Sequence, residues 1–169
     1  MLKSLVVTSA LVLSGVAQAC IPEPIEPLQQ VGQTRLSVWF WDVYDAALYT
    51  DSGNYETYEQ RALKLNYLRK ISADDLVDTT ADEWQKLEIE LTEEHQQWLV
   101  QLRTMWPDVS NGDCLMLVED DAGASVFYNN QGELGRIPSA QFTEDFLAIW
   151  LSPKSRFREE RDELVGDAS

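Results

Sequence analysis

One arginine interrupts an apolar and aromatic run: residues 35–50 read RLSVWFWDVYDAALYT, and Arg35 is followed by Tyr44 and Tyr49. A guanidinium is planar and offers paired hydrogen bonds to a carboxylate or an enolate-like oxygen. Two roles fit Arg35. It is a surface charge whose stem covers apolar neighbours, or it is the polar anchor of a pocket. No other basic residue lies between Lys3 and Arg61, so no neighbour in sequence replaces it.

Other residues with chemical potential fall into no catalytic pattern. His95 is the single histidine, in TEEHQQWL; it sits beside the apolar stripe of its predicted helix and is expected to be solvated. One histidine cannot make a two-His metal site. Asp74-Asp75 and Glu93-Glu94 stand at predicted helix starts, where acids favour the helix dipole. Glu119-Asp120-Asp121 reads as a hydrated turn without a calcium-loop pattern. There is no nucleophile elbow and no glycine-rich phosphate loop. No catalytic residue, metal or cofactor is therefore assigned.

The two cysteines are Cys20 and Cys114. A disulfide between them would close a loop of about 90 residues, worth up to roughly 4–5 kcal/mol in the chain-entropy model. The alternatives are lipid attachment at Cys20 and two free thiols.

The elements that must position these residues follow from composition and period. Residues 1–19, MLKSLVVTSALVLSGVAQA, have a basic start, an apolar run and a small-x-small end at Ala17-Gln18-Ala19. This predicts a secretory signal peptide cleaved after Ala19. No other segment is long and apolar enough to span a membrane. Residues 20–31 (three of the six prolines) read as an extended leader, and 32–169 as one domain. The expected location is periplasmic or secreted, with a lipoprotein anchored through Cys20 as the alternative. The chain holds 13 basic against 29 acidic residues, a net charge of -16. Such a surface is repelled by nucleic-acid backbones and anionic membranes. With 44% hydrophobic residues and six tryptophans it is not a disordered chain.

Gln33 to Tyr49 reads as two strands with a bend or hairpin near Trp39 to Asp42. Arg61 to Leu68 alternates as a half-buried strand. Helices are predicted from Ser72 to about Leu87, from Glu93 to Trp106, from Ser139 to Leu151 and from Ser155 to Val165, with Gly166 as the last cap. Gly112 to Glu119 and Ser125 to Tyr128 read as strands, and Asn130-Gln131-Gly132 as a turn. Most of the aromatics are assigned to the core. The sum is an α+β domain with a mostly antiparallel sheet.

Four stretches in this order, VYDAALY, GDCLML, FYNNQGELG and FLAIWLSP, make the chain from Gly32 to Gly166 resemble the exported bacterial chalcone isomerase-like family. The resemblance implies an open-faced β-sandwich, an antiparallel sheet with helices packed on one side, and a cleft between them. In the plant enzymes of the family the cleft holds a chalcone that is closed to a flavanone. In the plant fatty-acid-binding relatives it holds a fatty acid. In both, an arginine early in the first strand faces the ligand, and the matching position is Arg35. A polar residue on the next strand assists it, with Tyr44 the nearest match; Tyr49 completes the candidate ligand-binding set. The helix-borne tyrosine and asparagine of the isomerases have no recognisable counterparts, the nearest positions being Ser72 and Thr79.

Three functions follow as expectations. The first is a non-catalytic protein holding a small amphipathic or fatty-acid-like acid between sheet and helices. The second is a chalcone-type intramolecular lyase. The third is a structural or partner-binding protein whose cleft is filled by its own side chains. The sequence names no protein partner.

Overall fold

The β-branched and aromatic segments pair in the order in which they occur. The structure, a computed structural model, describes residues 27–167. Six strands form one antiparallel sheet in sequence order: β1 (Gln29–Val38), β2 (Trp41–Thr50), β3 (Arg61–Tyr67), β4 (Cys114–Glu119), β5 (Ser125–Asn129) and β6 (Gly132–Ile137). Helices α1 (Ala73–Lys86) and α2 (Glu93–Met105) connect β3 to β4, and α3 (Ala140–Leu151) and α4 (Arg158–Val165) follow β6. The helices pack on one side of the sheet, the open-faced arrangement expected from the sequence.

The first two strands form a hairpin whose two-residue turn is Trp39-Phe40. Alternation sets the faces: Thr34, Leu36, Tyr44, Ala46 and Leu48 are buried, whereas Arg35 and Ser37 are exposed. Leu36 lies opposite Tyr44 and Ser37 opposite Asp42, so Val43 is an extra residue that bulges the strand. β1 begins at Gln29, inside the stretch read as leader. Leu28, just before it, packs on the outer face with Ala62, Cys114, Met116 and Val118. The expected signal peptide, most of the expected leader and Cys20 lie outside the described residues.

The inner face carries the main core. Leu48, Leu63, Leu117 and Phe127 meet Val77, Trp84, Leu102, Phe142 and Leu164 from the helices. The aromatic members stack edge to face, with Trp106 to Phe127 at 5.4 Å and Trp98 to Phe142 at 5.4 Å between ring centroids. Helix ends are sealed as the sequence predicts. The Ser72 hydroxyl accepts from the Asp75 amide (3.1 Å) and the Ser139 hydroxyl from the Phe142 amide (3.2 Å). At Gly32 the backbone of α4 comes so close that a Cβ would lie 2.1 Å from the Glu163 carbonyl oxygen. Only glycine lets α4 lie on β1.

Several sequence readings are corrected. β6 was not anticipated, because GELGRI has two glycines and little β-branching. α4 starts three residues later than expected, after a turn at Ser155. His95 is 6% exposed rather than solvated. With Trp98, Leu99 and Leu102 it extends the buried stripe one turn toward the helix start. Its Nδ1 accepts from the Thr92 amide (3.3 Å), and its Nε2 pairs with Asp145 (3.1 Å). Finally Trp39, Phe40 and Trp41, read with the core aromatics, are 89, 94 and 65% exposed.

Candidate functional site

A cavity of about 290 Å³ lies between the inner face of the sheet and helices α1 and α3. That is near the lower end of the roughly 300–1,000 Å³ usual for small-molecule sites, so it suits a small occupant. Its floor is sheet residues such as Leu36, Leu63, Leu65 and Leu117, and its roof includes Leu76, Phe146 and Ile149. The bulge turns Val43 into the same wall.

A few polar groups interrupt this lining: Tyr44, Tyr67, Thr79, Thr80, Glu83 and Arg156. Arg156 stands in the link between α3 and α4. Pro153 prevents α3 from continuing. The buried Ser155 then fixes the link: its hydroxyl donates to the Ile149 carbonyl (2.8 Å) and accepts from the Phe157 amide (3.2 Å). The Arg156 guanidinium lies over the Phe157 ring, 4.1 Å from its centre.

One edge of that guanidinium is engaged. Nε lies 3.0 Å from each oxygen of Glu83 and Nη2 lies 2.8 Å from Oε1. Lys86 also donates to Glu83, at 2.8 Å. Burial pushes the Glu83 carboxyl up, but the hydrogen bonds from Arg156 and Lys86 outweigh it and hold the group below the ordinary carboxylate value. The other edge of Arg156 is unspent: Nη1 has no hydrogen-bond partner among the described residues.

Beside this pair are two buried phenols. The Trp150 indole donates to the Tyr44 hydroxyl at 2.8 Å, and the Tyr44 and Tyr67 rings meet edge to face at 5.8 Å. Burial raises both phenols well above their ordinary value, partly offset at Tyr44 by the Trp150 hydrogen bond. Both therefore stay protonated and act as neutral hydrogen-bonding groups. The Tyr67 hydroxyl has no partner among the described residues. The indole N–H of Trp106, another lining residue, is buried without a partner as well.

The structure separates the residues that the sequence grouped. Tyr44 lines the cavity. Arg35, one step out of phase, points to the opposite face and is absent from the lining. It donates to Asp45 through Nε (2.6 Å) and Nη2 (3.0 Å), and to Asp42 through Nη1 (3.3 Å). The polar end shared by Arg35 and Tyr44 is thus not assembled. The period of two that buries Leu36 turns Arg35 outward. Tyr49 packs beside the outer-face cluster. Of the nearest positions to the isomerase helix residues, Thr79 lines the cavity, whereas Ser72 caps α1. Cys114 is buried at the head of β4 and is not a free thiol; Cys20, its expected partner, lies outside the described residues. Among the described residues no group of three or more His, Cys, Asp or Glu is placed to hold a metal, and no helix is long and apolar enough to cross a membrane.

Sequence reasoning missed Arg156 and Glu83. They are 73 residues apart. Nothing local distinguishes either from the other charges of a strongly acidic chain. The only sequence signal was Pro153, which places Arg156 in a link between helices.

Comparison with known proteins adds three findings. A sequence model described as chalcone isomerase-like matches residues 27–166. An uncharacterized protein of Haemophilus influenzae is 27% identical over 145 residues, covering 85% of this chain and 70% of its own length. The crystal structure of a fatty-acid binding protein of Arabidopsis thaliana superposes with a TM-score of 0.66 at 10% identity, over 88% of this chain and 96% of that one. At that identity the likeness is one of fold.

Proposed function

We propose that this chain, which belongs to the chalcone isomerase-like family, is a binding protein. It holds a small amphipathic acid with its apolar part in the cavity and its carboxylate at the free edge of Arg156. The observation that carries the reading is an apolar-lined cavity with Arg156 and Tyr67 at its polar end, each with a donor that no described residue engages.

The chemistry of the head follows from the donors. The Nη1 edge of Arg156 matches a carboxylate in the geometry of a paired hydrogen bond. The Tyr67 hydroxyl is a further donor. The net charge of -16 repels an anion at long range, so affinity rests on local hydrogen bonds and on apolar burial at about 25 cal/mol per Å². The fold shared with a fatty-acid binding protein supports the same class of ligand. The residue types of positions 1–19 support export, and an intact mass beginning at Cys20 is the expected result.

The test is native mass spectrometry of protein purified without denaturation, followed by organic extraction. A co-purified acid, lost on denaturation, is the expected result. A protein that arrives empty and takes up no fatty or aromatic acid would leave the cleft as part of a scaffold.

A further inference from the structure

We propose that the β1–β2 hairpin tip, Trp39-Phe40-Trp41, docks on a phospholipid surface and sets the cavity wall against it. The four tryptophans from helices and their flanks, Trp84, Trp98, Trp106 and Trp150, are at most 9% exposed. The three tip aromatics are 65–94% exposed and adjacent in sequence. No ring contact engages Trp39 or Phe40 among the described residues.

The backbone accentuates the display. Trp39 has φ 61° at the first central position of a two-residue hairpin turn, where glycine is favoured. A bulky residue there is strained, and no contact of its ring offsets that strain. The tip is also a point rather than a flat face. A protein partner must supply a matching pocket for such a wedge. A bilayer interface accepts one without a pocket, and tryptophan favours that depth.

The charges beside the tip fit phosphate. Arg69 lies over the Trp41 ring, 5.4 Å from its centre, and Lys70 follows it; both are exposed. The acids at the base of the hairpin, Asp42 and Asp45, are already paired with Arg35. The same segments form the cavity wall. Val38 precedes the tip, Val43 follows it and Ile71 follows Lys70, and all three line the cavity. Docking would let an amphipathic acid pass between bilayer and cavity without crossing open water. That purpose rests on the function proposed above; the docking itself does not.

The experiment uses protein purified from cells expressing the whole chain, with one N-terminus confirmed by intact mass in every variant. Wild type should co-sediment with phosphatidylcholine vesicles, and its tryptophan emission should be quenched by lipids brominated in the upper acyl chain. The Trp39→Ser/Phe40→Ser variant should partition at least tenfold less. Trp39→Gly should melt higher than wild type yet bind less, which separates docking from folding. Replacing a third of the lipid with phosphatidylglycerol should weaken binding at low salt, because of the overall negative charge, and added salt should restore it. Wild type that ignores vesicles, or a double variant that binds them equally, overturns the proposal. So does a tip-dependent dimer without vesicle binding, which would make the surface a contact between copies. Titration of acids without vesicles separates the two proposals: the tip variant should bind acids as wild type does.

Discussion

Arg61 and Arg156 are both paired with glutamate, yet they occupy opposite situations. The Arg61 side chain is 3% exposed and all three of its nitrogens are engaged. Nε donates to Glu119 (2.7 Å), Nη1 to the Tyr58 hydroxyl (2.9 Å) and Nη2 to Glu144. Arg156 is 46% exposed, gives one edge to Glu83 and keeps the other beside an apolar cavity. The first is a closed network that ties β3 to β4 and α3. The second is an ion pair with capacity left over. An arginine's role is thus read from the donors that remain and what they face, not from having a carboxylate partner.

The comparison is sharpest at Arg61. Arg61→Met leaves Glu119 half-buried without its main partner and should cost about 3–5 kcal/mol of stability. At roughly 2–4 °C per kcal/mol for a chain of this size, that is a fall in Tm on the order of 10 °C. Acid binding by the protein that remains folded should be unchanged. A loss of affinity at unchanged stability would break the division between the two arginines.

Arg156→Ala should behave the other way. Removing a charged hydrogen-bond donor should weaken acid binding by about 1.5–3 kcal/mol, roughly ten- to a hundredfold, with a fall in Tm smaller than that of Arg61→Met, because Glu83 loses Arg156 but keeps Lys86. Arg156→Lys should recover part of the affinity, since an ammonium cannot make the planar pair. The acid side of the stability curve supplies a further check. Glu83 titrates below its unfolded value, so its contribution is present above roughly pH 4.3 and is lost as the pH falls through the lower folded value. Arg156→Ala should lose less stability on that descent.

Leu65→Phe places additional ring volume in the cavity. Affinity should fall at least tenfold, about 1.4 kcal/mol, while urea unfolding shifts little, because the added atoms enter unfilled space. The smallest effect is expected at Arg35. Its ion pairs are exposed and it lies away from the cavity, so Arg35→Ala should alter neither Tm nor acid affinity measurably.

Much of the fold was legible in the sequence, and the reasons are local. Ser72 and Ser139 marked helix starts, Gly166 marked an end, and alternation marked β3. β6 was missed because an edge strand with Gly132 and Gly135 carries no alternation and a single β-branched residue, Ile137. The site was legible only in part. Tyr44 was identified, but the residue chosen as its partner faces away, because adjacent strand positions point to opposite faces. The face of Arg35 depends on the register Arg35–Asp45 and on the bulge at Val43, both tertiary facts. The Glu83–Arg156 pair depends on α1 and the α3–α4 link meeting over the sheet, which no period in the chain encodes.

The most direct test is calorimetric titration of saturated fatty acids of stepped length, and of aromatic acids, against wild type, Arg156→Ala and Arg35→Ala. The proposed site predicts that at least one acid binds wild type and Arg35→Ala alike and binds Arg156→Ala at least tenfold more weakly. An acid that binds Arg156→Ala as tightly as wild type, or a panel in which nothing binds, would contradict it.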